Sequence, residues 1–429
     1  MKRIVVVGAG IGGLIAGGLL AKRGCEVMVL ERSPILGGRS HVMEKDGVHL
    51  PYGAHALLVK NVPPVKQVLA ELGMNPSTRA MSLSRFKLMS GGKLVSSPLG
   101  PGLLTSRALG SLSKRLKFVA TYLKLGRVDP DCSLGFTVQD WLKIQGLDPE
   151  VEKVLHAYLA LTLYDNGLDS YSMNRLAEHT LLTGRTLQPV SYVDYRELLS
   201  GFTNAIEQHG GSVRCGSRVE GLVVDGGRVC GVVVNGEEIL ADHVILNLPP
   251  RDIIKLTDHA SLQEEVAPLA VQPPSQCYVY DLVLSKPVCR KADNVLDLDR
   301  AVYINDLSAN IPSCAPQGQQ VLACLKFLTA EEQADDTAAE RARQDVEAAL
   351  DDACPGWRDA VVGRRIIDRA VVNGIARRVG SRLLPLHSSA LQGLSFVGDS
   401  TEGQGALGVP AYDSAWRVAN ALVPANVVR

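Results

Sequence analysis

The chain has 429 residues, 46% apolar and 21% charged, with 45 basic and 45 acidic side chains. That balance describes a globular protein and gives no electrostatic reason to expect nucleic acid or a bulk anionic partner. The length exceeds one ordinary core, so two domains, or one with a large insertion, are expected.

Nine cysteines are scattered between Cys25 and Cys354, none in a Cys-x-x-Cys pair. This argues against a disulfide framework and a zinc site, and fits a reducing cytoplasm. Met1-Lys2-Arg3 ahead of an uncharged stretch imitates a signal peptide, but Gly8, Gly10, Gly12, Gly13, Gly17 and Gly18 interrupt it. The segment reads instead as strand, turn and helix, and no other stretch is apolar for long enough to span a bilayer.

Residues 2–7 form a β-branched run, the mark of a buried parallel strand. Gly8-Ala9-Gly10-Ile11-Gly12-Gly13 then fits G-x-G-x-x-G, a helix is expected over 11–23, and Gly24 suits its end. Residues 26–30 read as the next strand, closed by Glu31. Each position has a physical task. Gly8 permits a tight turn, Gly10 lets backbone approach a pyrophosphate, and Gly13 lets helix and strand pack closely. The helix N-terminus offers free N–H groups to phosphate, and Glu31 can accept from ribose hydroxyls.

Beyond that acid stand Arg32 and then Gly37-Gly38-Arg39. The glycines allow close approach of a ligand, and the guanidinium can neutralise phosphate. Here the sequence resembles the FAD-dependent amine oxidase and phytoene desaturase superfamily. In that family such residues lie along the pyrophosphate and ribitol of FAD, so the resemblance favours FAD over NAD. The resemblance implies that residues 48–55 pass the isoalloxazine ring, placing Gly53 and Ala54 beside it and making His55 a candidate for contact with flavin or substrate. Pro51 and Tyr52 replace the acidic residue common in that family.

Farther on, 64–72 reads as a helix, and 79–101 as strands and loops. Over 103–127, Leu109, Leu112, Leu116, Val119 and Leu123 recur at helical spacing, with Arg107, Lys114, Arg115, Lys117, Lys124 and Arg127 among them. Such a helix can rest on an anionic membrane surface; the plainer reading is a lid helix packed on its own domain. Residues 138–156 and 171–182 look helical, as does 196–209. Strand signals at 213–215, 219–224 and 229–234 follow, with turns at Gly226-Gly227 and Asn235-Gly236. The resemblance makes this the middle FAD segment, with Val219 touching adenine. Residues 277–284, 301–304 and 321–328 read as strands, 331–350 as an acidic helix, and 371–375 as the return to the flavin domain.

Near the C-terminus a buried strand at 394–397 leads to Gly398-Asp399, then Gly403-Gln404-Gly405-Ala406-Leu407-Gly408-Val409 and a helix from about 410 to 422. Too little chain remains for a second nucleotide fold. The segment resembles the superfamily's closing FAD motif, in which the aspartate binds ribitol and the helix N-terminus faces the flavin pyrimidine. Gly408-Val409 and Ser414-Ala415 resemble the carotenoid-desaturase version.

An α/β fold is therefore expected. Residues 1–75, 190–265 and 360–429 would form a discontinuous Rossmann-like FAD domain, and 76–189 and 266–359 an α+β substrate domain. The residues expected to hold FAD, without a covalent link, are Gly8, Gly10, Ile11, Gly12, Gly13, Glu31, Arg32, Gly37, Gly38, Arg39, Gly53, Ala54, Val219, Gly398, Asp399, Gly405, Gly408 and Val409. No metal is expected. Three functions fit: dehydrogenation of an apolar, isoprenoid-like small molecule, amine oxidation, and non-catalytic prenyl binding. In many amine oxidases a lysine follows the middle FAD segment. Gln276 or Cys277 falls there instead, and Lys286 comes too late.

Overall fold

The computed structural model describes residues 1–53, 62–183 and 190–425. The β-branched run forms the strand Arg3–Val7, buried from Ile4 onward. Gly8 turns the chain at φ +96°. The helix Ile11–Lys22 follows and is buried from Gly12 to Ala21. Gly24, at φ +85°, releases the chain into the strand Glu26–Leu30, which pairs in parallel with the first. This unit sits within a five-stranded parallel sheet, ordered 394–396, 243–246, 3–7, 26–30, 212–214. Helices Pro63–Leu72, Tyr195–Glu207 and Val409–Leu422 close one side of it around the glycine-rich helix.

A second, seven-stranded sheet runs 361–373, 275–284, 320–327, 302–306, 294–297, 86–90, 93–96. Its alternating side chains divide between two cores. Tyr278, Tyr280 and Leu282 face the helix Ala338–Ala353. Cys277, Val279, Leu325 and Tyr303 face the helices Leu112–Leu125, Pro149–Leu163 and Met173–Leu182. The fold is α/β, with a Rossmann-like parallel sheet beside a mixed sheet and its helices.

Four expectations need correction. The strand Val361–Asn373 belongs to the seven-stranded sheet, so residues 361–373 are not part of the parallel sheet; from Val361 to Asp368 its residues are alternately half-buried and exposed, as on an edge strand with one face wet, although polar and apolar residues come in pairs along it. The helix expected over 103–127 is two, Gly102–Thr105 and Leu112–Leu125, with Ser111 capping the second through the Lys114 N–H at 3.3 Å. Its buried face is Phe118, Tyr122 and Leu125, whereas Leu112, Leu116 and Leu123 are 46%, 52% and 38% exposed. The aromatic i, i+4 pair, not the leucine stripe, enters the core. Finally, Cys289 and Cys354, 65 residues apart, form a disulfide. Only folding brings them together, so no local spacing announced the pair. Among the described residues no helix is long and apolar enough to cross a membrane.

Candidate functional site

One cavity of about 960 Å³ runs from the C-terminal ends of the parallel strands to the face of the second sheet. Open α/β sheets place ligands at such a crevice, where strand order reverses. Here it opens between 3–7 and 243–246. Gly8, Gly10, Ile11, Gly12, Glu31, Arg32, Gly37, Gly38, Arg39, Gly53, Val219, Gly398, Asp399, Gly408 and Val409 all border the cavity. Gly13 and Gly405 stand behind the wall. A Cβ on Gly13 would lie 2.1 Å from the Gly8 carbonyl, so its role is close packing of the turn. Gly405, at φ +93°, shapes the loop before the last helix. Ala54 and His55 fall outside the described residues.

The nucleotide end suits an anionic, hydroxyl-rich ligand. The helix Ile11–Lys22 begins at Gly10 with no side-chain cap, leaving its positive end open to the cavity. A Cβ on Gly10 would come within 2.8 Å of the Asn247 amide, so only glycine keeps this approach clear. Glu31 fixes the turn from below: its carboxylate accepts from the Ala9 N–H at 2.8 Å and the Ser33 N–H at 2.9 Å. Asn247, which no sequence signal picked out, donates to the Gly8 carbonyl at 3.1 Å. Its clue was its place just after a buried parallel strand.

Arg39 and Asp399, 360 residues apart, meet as an ion pair on the cavity wall. Arg39 also donates to the Val372 carbonyl at 3.0 Å, and Asp399 accepts from the Gly374 N–H at 2.6 Å. Burial alone would raise the Asp399 carboxyl; the Arg39 charge and these hydrogen bonds outweigh it and hold the group below its usual range. Beside them, Arg365 donates to the Pro51 carbonyl at 2.6 Å and pairs with the buried Asp281, holding the segment before Tyr52 and Gly53. Burial pushes Asp281 up to about 6, against the pull of Arg365.

The far end differs in character. Met81, Phe86, Leu99, Tyr122, Tyr158, Tyr164 and Leu161 line it over a floor of Cys277, Val279, Leu325 and Tyr303. Every carboxylate bordering the cavity among the described residues (Glu31, Glu220, Asp252 and Asp399) lies at the nucleotide end. Cys277 stands where an amine-oxidase lysine was looked for, its thiol pushed up to about 12 by burial. Tyr164 takes φ +53°, a conformation that costs a non-glycine residue about 1 kcal/mol, and this turns it into the cavity wall. His179, another residue unmarked in the sequence, reaches from the helix Met173–Leu182 to accept from the Ala406 N–H at 3.2 Å. Burial pushes its imidazole down to about 4. It therefore stays neutral and anchors the loop that leads into the last helix.

A Rossmann-like sheet, an open helix N-terminus and an apolar chamber beyond suit a nucleotide cofactor held beside an apolar ligand. The sequence pattern of the flavin-containing amine oxidoreductase family matches residues 11–423, and the chain belongs to that family. It is 24% identical over 282 residues to a 15-cis-phytoene desaturase of Solanum lycopersicum, covering 59% of this chain and 47% of the relative. With an uncharacterized protein of Methanocaldococcus jannaschii it shares 37% identity over 135 residues, 31% of this chain and 33% of the other. The matches thus span half or less of these curated relatives. An oxidoreductase from Methanosarcina mazei superposes with a TM-score of 0.76 at 22% identity, over 97% of this chain and 99% of the other. Cyclohexylamine oxidase from Brevibacterium oxydans gives 0.68 at 16% identity, over 98% and 99%. The Rab GDI of Plasmodium falciparum gives 0.62 at 13%, over 98% of each.

Proposed function

We propose that the chain binds FAD non-covalently and dehydrogenates a largely apolar, elongated small molecule. Residues 1–75, 190–265 and the chain after Asn373 would form the flavin part. When bound, the flavin supplies a two-electron, hydride-accepting centre. The protein's own contribution is to bind, orient and exclude water. The uncapped helix end, Glu31, Arg39 and Asp399 would hold the pyrophosphate, ribose and ribitol, and the start of the helix Val409–Leu422 would face the ring.

One observation carries the substrate class: the aromatic chamber has no carboxylate among the described residues, so a substrate ammonium would lie there without a counter-ion. This disfavours amines. The intact glycine cradle disfavours a purely prenyl-binding role. The test is anaerobic. A polyene precursor should bleach the flavin absorbance of the purified protein, and bleaching by an amine panel instead would reverse the assignment.

The same reading extends to a protein that touches a membrane. Leu104 on the helix Gly102–Thr105, and Leu112, Leu116 and Leu123 on Leu112–Leu125, are exposed among basic residues, while Tyr122 of the second helix lines the chamber. An apolar substrate could then pass from an anionic lipid surface. Liposome flotation should show binding that Leu112→Ser with Leu116→Ser abolishes; flotation unchanged by that pair would refute it.

A further inference from the structure

The apolar chamber contains one hydrogen-bonding cluster whose valences are not all used. Tyr192, from the strand Ser191–Val193, and Tyr303, from Val302–Asp306, both line the cavity. Their hydroxyls lie 3.1 Å apart, and each donates to the Asn294 side-chain oxygen, at 2.9 Å and 2.5 Å. Asn294 is fully buried, and its amide nitrogen has no partner among the described residues. Tyr158, in the same chamber, has its hydroxyl paired with Ser97 at 2.5 Å.

Counting hydrogens shows what is missing. With both phenolic hydrogens on the amide oxygen, the two phenol oxygens face each other with lone pairs only, so an added donor would be bound. With the amide turned over, its NH2 fills those lone pairs, one phenol donates to the other, and one O–H is left to point elsewhere. In the first arrangement the cluster lacks a donor, in the second an acceptor. A hydroxyl supplies both, and a hydrocarbon neither. A cation is not called for, because the nearby Asp293 is already neutralised by Arg85 at 2.6 Å.

We propose that Tyr192, Tyr303 and Asn294 form a subsite for an uncharged hydroxyl group on an otherwise apolar substrate. Val279, Leu325 and Tyr303 are paired in one cross-strand row. The subsite therefore lies two strand spacings, about 10 Å, along the floor from Val279. The substrate class becomes an apolar chain bearing a hydroxyl at that distance from the part lying over Val279. This deepens the proposed function and rests on it.

The test compares farnesol with the C15 hydrocarbon of the same skeleton lacking the hydroxyl. Each is titrated into flavin-loaded protein, following intrinsic fluorescence and the visible flavin band. The alcohol should bind about tenfold more tightly, the worth of one buried neutral hydrogen bond. In Tyr303→Phe and in Tyr192→Phe that ratio should fall to about one, with hydrocarbon affinity unmoved. Equal affinities in the unaltered protein, or a ratio that survives both substitutions, overturns the subsite and leaves the apolar-substrate reading standing. If neither compound binds to flavin-loaded protein, that reading itself fails and takes the subsite with it. Flavin content reports folding of each variant, and should one not fold, the unaltered protein and the other variant decide.

Discussion

Two glycines of one helix should respond in opposite senses to the same added methyl group. On Gly13 a Cβ would stand 2.1 Å from the Gly8 carbonyl oxygen and 3.2 Å from the Asn247 Cβ. Ordinary carbon–oxygen contact is more than 1 Å longer, and the obstacle is backbone, fixed by the Gly8 N–H bond to Leu30 at 2.8 Å and the Asn247 bond to Gly8. Gly13→Ala must therefore open the turn, at a cost near the upper end of overpacking, about 3 kcal/mol. On Gly18 the Cβ would meet the Leu72 methyls at 3.5 Å and the Ala205 Cβ at 3.6 Å, which is normal contact. Gly18→Ala gains helix propensity and buries a methyl, about 1 to 2 kcal/mol in its favour. The two variants should differ by roughly 4 to 5 kcal/mol in urea unfolding, and only Gly13→Ala should lose flavin during purification. A Gly13→Ala protein as stable and as flavin-loaded as the parent, or a Gly18→Ala protein destabilised like its neighbour, would refute the packing argument.

Glu31→Ala removes the acceptor for two backbone N–H groups, one of them buried; flavin retention should fall and stability drop by about 1 to 3 kcal/mol, and unchanged flavin content in the purified variant contradicts this. Acid should weaken the fold between pH 6.5 and 4, because His179 and His243 are both pushed down to about 4, chiefly by burial. The unfolded chain then binds protons that the folded one refuses; His179 alone accounts for roughly 3 kcal/mol over that range, and a His179→Gln variant with the same acid slope as the parent would be evidence against it. For the buried pair, Asp281→Asn should cost about 3 kcal/mol or more by stranding the Arg365 charge, and the double change Asp281→Leu with Arg365→Met should cost less than that single one. Additive losses in a double-mutant cycle would mean the two groups act independently.

The parts legible in the sequence are those where every local rule agrees. Residues 3–31 combine a β-branched run, glycines at the turn and an acid at the second strand's end, and they fold as read. Gly37 and Gly398 take positive φ, so their motifs were visible as backbone requirements. The substrate chamber was illegible for the opposite reason. Tyr192 and Tyr303 sit 111 residues apart on strands of two different sheets, and only the packing of those sheets makes them neighbours. The helix Leu112–Leu125 carries apolar residues around most of its circumference, so periodicity allowed either face to be buried. What decided was the size of Phe118 and Tyr122, which fill a chamber the sequence does not describe.

The strand Val361–Asn373 shows why the two halves of the site cannot be assigned separately. It belongs to the sheet that floors the chamber, yet along its length it meets the flavin-end motifs in turn. Arg365 holds the Pro51 carbonyl, Ala370 lines the chamber, Val372 accepts from Arg39, and Gly374, just past its end, donates to Asp399. A shift of one residue in its register against Ser275–Leu284 would send these side chains to the other face and misplace the carbonyl and N–H groups. The ion pair of Asp281 with Arg365 lies on that pairing, with one partner on each strand. Its desolvation makes it a weak source of stability, but a buried charge that is satisfied in only one register selects that register. The pair is then best understood as a registration device, aligning the chamber floor with the cradle so that a substrate on one faces a cofactor in the other.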